Sequence, residues 1–186
     1  QGALKVGTAA DIREAKASGK LAMMYNTQGA DYVADDLKYH ARKSYEHGIR
    51  TMNFTYNNNN ELAGGGTKQD FGLTELGKQW VMAAQGANIV VDVSHSSNQA
   101  AIEAAAIATK PIIASHSNAM AVWDISRNMS DDAIRAVAST GGVVCPTGVG
   151  IFLNEDADAS PERFVEHVVY IAKLIGRDRL CFSTDY

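Results

Sequence analysis

The amino-acid sequence predicts an α/β fold built from repeated strand–helix units. Residues 89–116 contain two short β-branched runs separated by a helical pattern, which is the arrangement of a strand, a helix and a second, parallel strand. The same alternation of short apolar runs and helical patterns continues along the chain on both sides of this unit. Repeated units of this kind form either an open, doubly wound sheet or most of an eight-stranded barrel.

The strands and helices follow one another in strict alternation. Short apolar runs predict six strands, at residues 21–25, 49–54, 89–94, 111–115, 143–146 and 180–183. Helical spacing predicts six helices, at residues 10–18, 33–47, 75–85, 97–109, 130–138 and 160–176. Each strand except the last is therefore followed by a loop and a helix.

The ends of the predicted helices carry their own signals. Thr74 and Ser130 are suited to cap the helices that follow them, because their hydroxyls can accept from the first unpaired N–H groups. Pro161 stands at a first helical position, where its missing N–H costs nothing. Gly19 and Gly48 end two other helices.

Polar residues at the strand ends favour the barrel over the open sheet. They follow nearly every predicted strand: Gln28, Tyr56, His95, His116, Thr147 and Asp185. In a barrel all these ends face one site, whereas in an open sheet only the switch point does. No phosphate-binding glycine motif follows a strand, which argues against a nucleotide-binding sheet. We therefore expect a TIM-type (β/α)8 barrel, to which residues 1–186 contribute about six β/α units as a single domain.

Composition excludes several classes of partner. The chain has 186 residues, 46% of them hydrophobic and 20% charged, and a formal net charge of −4. This mild acidity, without a Lys/Arg stripe, argues against nucleic acid, and no apolar run approaches the roughly 20 residues of a transmembrane helix. The sequence opens at Gln1 without a visible signal peptide, which leaves the compartment open. Cys145 and Cys181 lie in apolar runs, so we expect small buried side chains rather than a disulfide or a nucleophile.

Two histidines mark the candidate site. His95 and His116 each follow a predicted strand directly, in the sequence Ser-His-Ser. Because the carboxyl ends of neighbouring parallel strands meet, we expect the two imidazoles to lie close together. One strand-end histidine is often only hydrogen-bonded locally, but two converging neutral imidazoles are typical of a metal site. Asp92 is a candidate to orient one of the rings.

Four motifs stand out in the second half of the sequence: VDVSHS at 91–96, KPIIASHSN at 110–118, Arg127-Asn128 and Asp131-Asp132. Together they resemble the membrane (renal-type) dipeptidase family of zinc peptidases. Tyr56-Asn57, AGGG at 63–66, GLT at 72–74 and GVGIFL at 148–153 resemble the bacterial branch of that family. The likeness covers nearly the whole chain, and it implies a metal-dependent hydrolase barrel that cleaves dipeptides with two zinc ions.

The resemblance also implies roles for individual residues. His95 and His116 correspond to two ligands of one zinc ion, and Gln28 falls where the family has the glutamate that bridges both ions. Arg127 corresponds to the arginine that holds the substrate's carboxylate, and Asn128 is placed beside it as a substrate-binding residue. Asp185 corresponds to the acidic residue that handles protons at the reacting centre.

Tyr56 falls where mammalian members of the family have a histidine near the scissile carbonyl. The resemblance therefore gives Tyr56 a part in both substrate binding and catalysis.

The sequence departs from the family pattern at two places. The first metal motif, His-x-Asp on the first strand, is absent, so the six predicted strands would be the third to the eighth of the barrel. Gln28 replaces a bridging carboxylate by an amide, which supplies one good oxygen donor and no charge. One zinc ion is therefore favoured over two in this chain.

Other interpretations of single residues remain open at this stage. Arg127 has acidic neighbours in sequence, Asp124, Asp131 and Asp132, with which it could form a salt bridge instead. Asp185 could be a solvated turn residue, and residues 57–60 could be an asparagine-rich turn.

The leading functional hypothesis is zinc-dependent hydrolysis of dipeptides or similar small amides by a metal-activated water. One alternative is a catalytically weakened relative that binds a peptide-like ligand. Another is a barrel hydrolase acting on a different amide in a biosynthetic pathway. As partners we expect a small amide substrate, and a second copy of the chain or the remaining part of the barrel. The resemblance leaves the bacterial cytoplasm and the periplasm both open.

Overall fold

Parallel strands that follow one another in chain order form the centre of the fold. The computed structural model describes residues 2–31, 36–68 and 71–185. The strands are β1 (Ala3–Lys5), β2 (Leu21–Met23), β3 (Tyr25–Thr27), β4 (Ile49–Asn53) and β5 (Val90–Asp92). β1 pairs with β2, β3 with β4 and β4 with β5, always in parallel. Parallel pairing requires a crossover between strands, and the predicted helices supply it.

The last three predicted strands continue this ladder as short parallel bridges. Asp92 bridges Ile113, Ala114 bridges Val144, and Thr147 bridges Ser183. All six predicted strands therefore lie side by side in sequence order.

The start of the sheet differs from the prediction in two ways. The predicted strand at 21–25 is divided into β2 and β3, and the register of β3 against β4 shifts between Tyr25 and Asn26. The short strand β1 was not predicted, because three residues are too few to show a period-two pattern.

Helices connect these strands at the predicted places. They are α1 (Ala9–Ala17), α2 (Leu37–Glu46), α3 (Glu75–Gly86), α4 (Asn98–Ile107), α5 (Asp131–Ser139) and α6 (Pro161–Ile175), with 3₁₀ turns at Gly150–Phe152 and Arg177–Arg179. The predicted caps are confirmed: the Thr74 hydroxyl accepts from Gly77 N–H (3.0 Å) and the Ser130 hydroxyl from Ala133 N–H (3.3 Å). α2 is described from Leu37 onward, and residues 33–35 of that prediction lie outside the described residues.

The hydrophobic core lies between the strands and the helices packed on them. Met52 of β4, Val91 of β5 and Trp80 of α3 are buried there together. α4 contributes alanines, among them Ala100 and Ala104, both fully buried. Small side chains let this helix lie close to its neighbours, and their burial removes apolar surface from water, the main favourable term in folding. Within the described ranges no helix has the length and apolar character to cross a membrane.

Cys145 and Cys181 form a disulfide, with Cα atoms 4.4 Å apart, so the expectation of two separate thiols is wrong. The reason lies in the register of the last two strands. Val144 and Leu180 bridge directly, which brings the next residue of each strand side by side. The bond ties the last strand to its neighbour, and this pairing spans 36 residues of sequence.

Candidate active site

His95 lies just beyond the carboxyl end of β5, in a turn where its backbone is left-handed, with φ 69°. Residues other than glycine rarely hold that conformation without support. The support comes from two hydrogen bonds to the His95 carbonyl, one from the Thr55 hydroxyl (3.0 Å) and one from Gly66 N–H (2.6 Å). The imidazole is 7% exposed, and its Nδ1 lies 2.7 Å from Oδ1 of Asn57.

The glycine run at 64–66 makes this turn possible through close backbone approach. A Cβ on Gly65 would lie 2.2 Å from the Asn57 carbonyl oxygen, and one on Gly66 would lie 3.1 Å from the His95 carbonyl oxygen. Gly65 also forms an antiparallel bridge with Ser96. The long loop after β4 therefore shapes the site, as loops between a strand and a helix often do.

His116 follows the strand at 111–115 and is 4% exposed. Its backbone N–H donates to the Ser94 hydroxyl (3.0 Å), and its Nδ1 lies 2.6 Å from the Ser115 hydroxyl. Its Nε2 is buried and has no hydrogen-bond partner among the described residues. The His95 and His116 rings meet with centroids 4.8 Å apart and planes at 62°. The predicted closeness of the two imidazoles is confirmed, and their role as ligands stays a prediction.

Arg127 returns to the histidines through a loop that folds back on itself, in which Met129 N–H donates to the Asn118 carbonyl (2.8 Å). The guanidinium is 8% exposed and donates to the His116 carbonyl (3.2 Å) and to the Ser117 hydroxyl (3.4 Å). Its Nε is buried without a partner among the described residues. The group also lies over the Phe152 ring, 5.0 Å from the ring centre. It is thus held in place while part of its donor fork stays unused.

The alternative in which Arg127 pairs with a nearby acid in sequence is not realised. Asp131 and Asp132 pair with Arg135 instead. In the part of the chain that the structure describes, Arg127 forms no ion pair within 4 Å.

Tyr56 and Asp185 are the exposed members of the predicted site. The Tyr56 ring is 53% exposed and stacks on His95, with centroids 4.4 Å apart. Asp185 is exposed at the end of the last strand, and its carboxylate acts electrostatically on both His116 and Arg127. Its backbone, with φ 61°, is left-handed like that of His95.

The structure leaves the predicted roles of Gln28 and Asn128 as predictions. Gln28 directly follows β3 and is exposed, and the neighbouring Gly29 packs beside Tyr56. Asn128 is 2% exposed and donates to two backbone carbonyls, of Trp123 (2.8 Å) and Phe152 (2.9 Å). Those bonds fix the loop beneath Arg127, while the Asn128 Oδ1 has no partner among the described residues.

Burial keeps both histidines neutral at ordinary pH. Loss of hydration lowers the pKa of His95 to about 3. The positive charge of Arg127, and the charge that His116 would carry if protonated, act in the same direction. Burial also lowers the pKa of His116, against the opposing effect of the Asp92 carboxylate. Burial lowers the pKa of Arg127 to about 10, which leaves it charged at neutral pH. Neutral imidazole is the form that binds a metal.

The two imidazoles fit part of a zinc shell. They are neutral, they converge, and the buried Nε2 of His116 lacks a protein partner. No group of three His, Cys, Asp or Glu side chains close enough to hold a metal occurs within the described ranges. Zinc sites take three or four protein ligands, so the remaining positions fall to water or to groups beyond these two histidines.

Sequence reasoning missed two residues that contact the histidines. The sequence leaves Asn57 open as part of an asparagine-rich turn, and only its place next to Tyr56 in the family motif marks it. Asn60 does serve the turn, because its Oδ1 accepts from Leu62 N–H (2.9 Å) and Ala63 N–H (3.0 Å). The sequence places Ser115 only at the end of a predicted strand, and its proximity to Asp92 becomes visible only when the strands are paired.

Parallel β/α units whose strand ends bring polar side chains together, here two histidines and a buried arginine, are typical of the (β/α)8-barrel class. The family model described as membrane dipeptidase, peptidase family M19, matches residues 3–186, and the chain belongs to this family.

Known relatives agree with this assignment. An uncharacterized protein in the pqqA 5′ region of Klebsiella pneumoniae is 30% identical over an alignment of 194 positions. The alignment covers 96% of this chain and 70% of that protein. The crystal structure of an amidohydrolase from Pseudomonas aeruginosa matches with a TM-score of 0.92 and 28% identity, over 100% of this chain and 57% of that one.

A metallo peptidase from Rhodobacter sphaeroides, liganded with a phosphinate mimic of the dipeptide L-Ala-D-Ala, matches with a TM-score of 0.89 and 25% identity, over 98% of this chain and 55% of that one. The chain thus spans little more than half the length of these two solved relatives. The predicted (β/α)8 barrel is confirmed as the fold to which this chain contributes.

Proposed function

We propose that the protein containing this chain hydrolyses dipeptides or similar small amides with a zinc-activated water. The observation that carries the proposal is the convergence of two buried, neutral imidazoles beside a buried guanidinium with an unused donor. When bound, zinc polarises a carbonyl and lowers the pKa of a bound water to about 7. The family is described as one of dipeptidases, and two solved relatives are described as metallo peptidases, which fits this donor set.

Each side chain of the site then has a definite task. His95 and His116 hold one zinc ion, which we favour over two because Gln28 lacks the charge of a bridging carboxylate. Arg127 binds the free carboxylate of the substrate through its planar fork. Asp185, exposed at the end of the last strand and close enough to act electrostatically on His116 and Arg127, accepts and returns the proton at the reacting centre.

Tyr56 covers one face of His95 and reaches solvent. It therefore lies where a substrate carbonyl can approach, and its phenol is a donor for the developing oxyanion. Asn128 supports the carboxylate pocket from below, because its side-chain amide donates to the Trp123 and Phe152 carbonyls and so fixes the loop that carries Arg127.

The decisive experiment uses the complete, zinc-loaded protein with L-Ala-D-Ala and with the same dipeptide carrying a C-terminal amide. We expect hydrolysis of the free acid and at least about a tenfold lower kcat/KM for the amide, because the amide cannot pair with Arg127. Equal rates would contradict the carboxylate role. Absence of hydrolysis together with absence of phosphinate binding would overturn the proposal.

A second candidate function is binding of a peptide-like ligand without efficient turnover. The amide at position 28, in place of a bridging carboxylate, is the observation that favours it. Tight binding of a phosphinate dipeptide mimic without hydrolysis of the dipeptide would support this candidate.

The cross-link bears on the compartment. Disulfides persist in oxidising environments, so the Cys145–Cys181 bond favours the periplasm over the cytoplasm. Reactivity of both cysteines toward a thiol reagent in protein purified without reductant would contradict this part of the proposal.

A further inference from the structure

The Nδ1 atom of His116 faces a hydroxyl that has a second partner. The Ser115 Oγ lies 2.6 Å from this nitrogen and also contacts the Asp92 carboxylate. A carboxylate only accepts, and a serine hydroxyl has a single proton to donate. The Ser115 proton therefore goes to Asp92, and the Ser115 oxygen accepts the proton of His116 Nδ1. It follows that the lone pair of this imidazole lies on Nε2.

Asp92 is held firmly enough to direct this chain of hydrogen bonds. It is 2% exposed at the end of β5, and its Oδ1 accepts from the backbone N–H groups of Ser94 (2.9 Å) and Ser115 (3.1 Å). The bond from Ser115 N–H joins the two strands that carry the two histidines. The carboxylate thus lies between the strands, and one of its oxygens remains for the Ser115 hydroxyl.

His95 has a different partner. Its Nδ1 lies 2.7 Å from the Asn57 side-chain oxygen, which is a neutral amide acceptor. The amide also places the proton on Nδ1, but it brings no charge. A charged acceptor behind an imidazole increases its basicity as a ligand more than a neutral one does.

We propose that Asp92, acting through the Ser115 hydroxyl, fixes His116 in the Nδ1-protonated form and makes it the stronger of the two zinc donors. Ser115 is then a positioning residue, because it reaches the metal only through His116. The inference rests on the proposed zinc site and adds to it an inequality between the two ligands. Since the serine bridge separates the carboxylate from the ring, replacing Ser115 removes the coupling without removing the acid.

The first test needs no substitution. Long-range ¹H–¹⁵N correlation spectra of the complete, metal-free protein report which nitrogen of each histidine is protonated. We expect both His95 and His116 to carry the proton on Nδ1. A His116 protonated on Nε2 would overturn the proposal, whether or not the protein hydrolyses dipeptides.

The second test compares Ser115→Ala with Asn57→Ala and Ser115→Thr. We expect Ser115→Ala to mix the tautomers of His116 alone and to weaken zinc binding about 10–100-fold, measured by chelator competition. Asn57→Ala should disturb only His95 and weaken zinc binding less, and Ser115→Thr, which keeps the hydroxyl, should restore the wild-type affinity. Ser139→Ala, which removes an exposed hydroxyl at the end of α5, is the matched control.

The outcomes separate this inference from the proposed function. Wild-type zinc affinity in Ser115→Ala, or a larger loss in Asn57→Ala, would overturn the inequality while leaving dipeptide hydrolysis intact. The predicted tautomers and affinities in a protein that hydrolyses no dipeptide would support the relay and contradict the proposed activity. Far-UV circular dichroism of each variant confirms that the fold is retained.

Discussion

The central and the outer strands of this sheet carry two different halves of the candidate site. The two central strand ends hold His95 and His116, which are 7% and 4% exposed and engaged at Nδ1 by side chains of the same chain. The outer strands hold Gln28 on one side and Asp185 on the other, both exposed. One half is enclosed by its own contacts, and the other lies at the margin of the described structure.

The difference shows where each half obtains its geometry. Buried side chains with fixed hydrogen bonds have already lost their rotamer freedom, so the histidine pair is preorganised. Exposed side chains become ordered only when a ligand, a metal ion or another segment packs against them. We therefore expect loss of a central histidine to abolish metal binding, and changes in the outer half to modulate chemistry on a site that still assembles.

The largest expected effect comes from removing a central ligand. His116→Ala leaves one imidazole, and we expect zinc affinity to fall by more than about 100-fold, because even changes behind a ligand cost 10–100-fold. The measurement is zinc content and chelator competition on the complete protein. His47→Ala, at the exposed end of α2, is the control and should bind zinc normally. Equal zinc affinity in both variants would show that the central pair is not the metal site.

Arg127→Lys tests the central half from the substrate side. Lysine keeps the charge but loses the planar fork, the bond to the His116 carbonyl and the stacking on Phe152. We expect KM for dipeptides to rise about 10–100-fold, the equivalent of about 1.4–2.8 kcal/mol, while zinc content stays unchanged. Wild-type KM in steady-state assays of this variant would show that Arg127 does not bind the substrate.

Gln28→Glu tests whether the outer half modulates an assembled site. A carboxylate between two divalent ions offsets their repulsion, which an amide cannot do. We expect the zinc content of the complete protein to rise from about one to about two ions, and dipeptide turnover to rise with it. Two ions per chain with Gln28 in place would assign the bridging role to another residue.

The outer strands also predict how the chain associates. Leu21 on β2 and Phe182 on the last strand are 67% and 68% exposed, although large apolar side chains on the outer strands of a sheet are normally covered. We expect the 186-residue chain to self-associate, or to bind the rest of its barrel, and Phe182→Ser to reduce self-association in analytical ultracentrifugation. A monodisperse wild-type monomer in solution would contradict this expectation.

The smallest expected effect concerns His167, which stabilises the loops behind the central half. It is fully buried in α6, accepts from Ala119 N–H (3.1 Å) at Nδ1 and reaches the Leu153 carbonyl (3.0 Å) with Nε2. Burial lowers its pKa, so the folded protein binds this proton less readily than the unfolded chain. Its contribution to stability is therefore full above the unfolded pKa of about 6.5 and declines as the pH falls through and below that value.

The measurement is the unfolding free energy from urea titrations between about pH 5 and 8. His95 and His116 share the same direction of shift, so the wild-type slope is compared with that of His167→Gln, which should be shallower. His47→Gln serves as the exposed control. Identical slopes in the wild type and His167→Gln would remove His167 from this account.

Local pattern was sufficient for much of the fold. Apolar runs and helical spacing predicted six strands and six helices in order, because burial imposes its period on neighbouring residues. The caps at Thr74 and Ser130 were predictable for the same reason, since a cap contacts backbone only three residues away. The closeness of His95 and His116 followed from one further rule, that neighbouring parallel strands end together.

The partners of these histidines could not be inferred in this way. Asn57 meets His95 across 38 residues of sequence, and Cys145 meets Cys181 across 36. The contact of Asn57 depends on the left-handed turn at His95, and the disulfide depends on strand register. A change of register by one residue would turn each side chain to the other face. Sequence pattern determines which residues are buried, whereas pairing of the strands decides which buried groups meet, because hydrogen bonds and disulfides need atoms placed to within a fraction of an ångström.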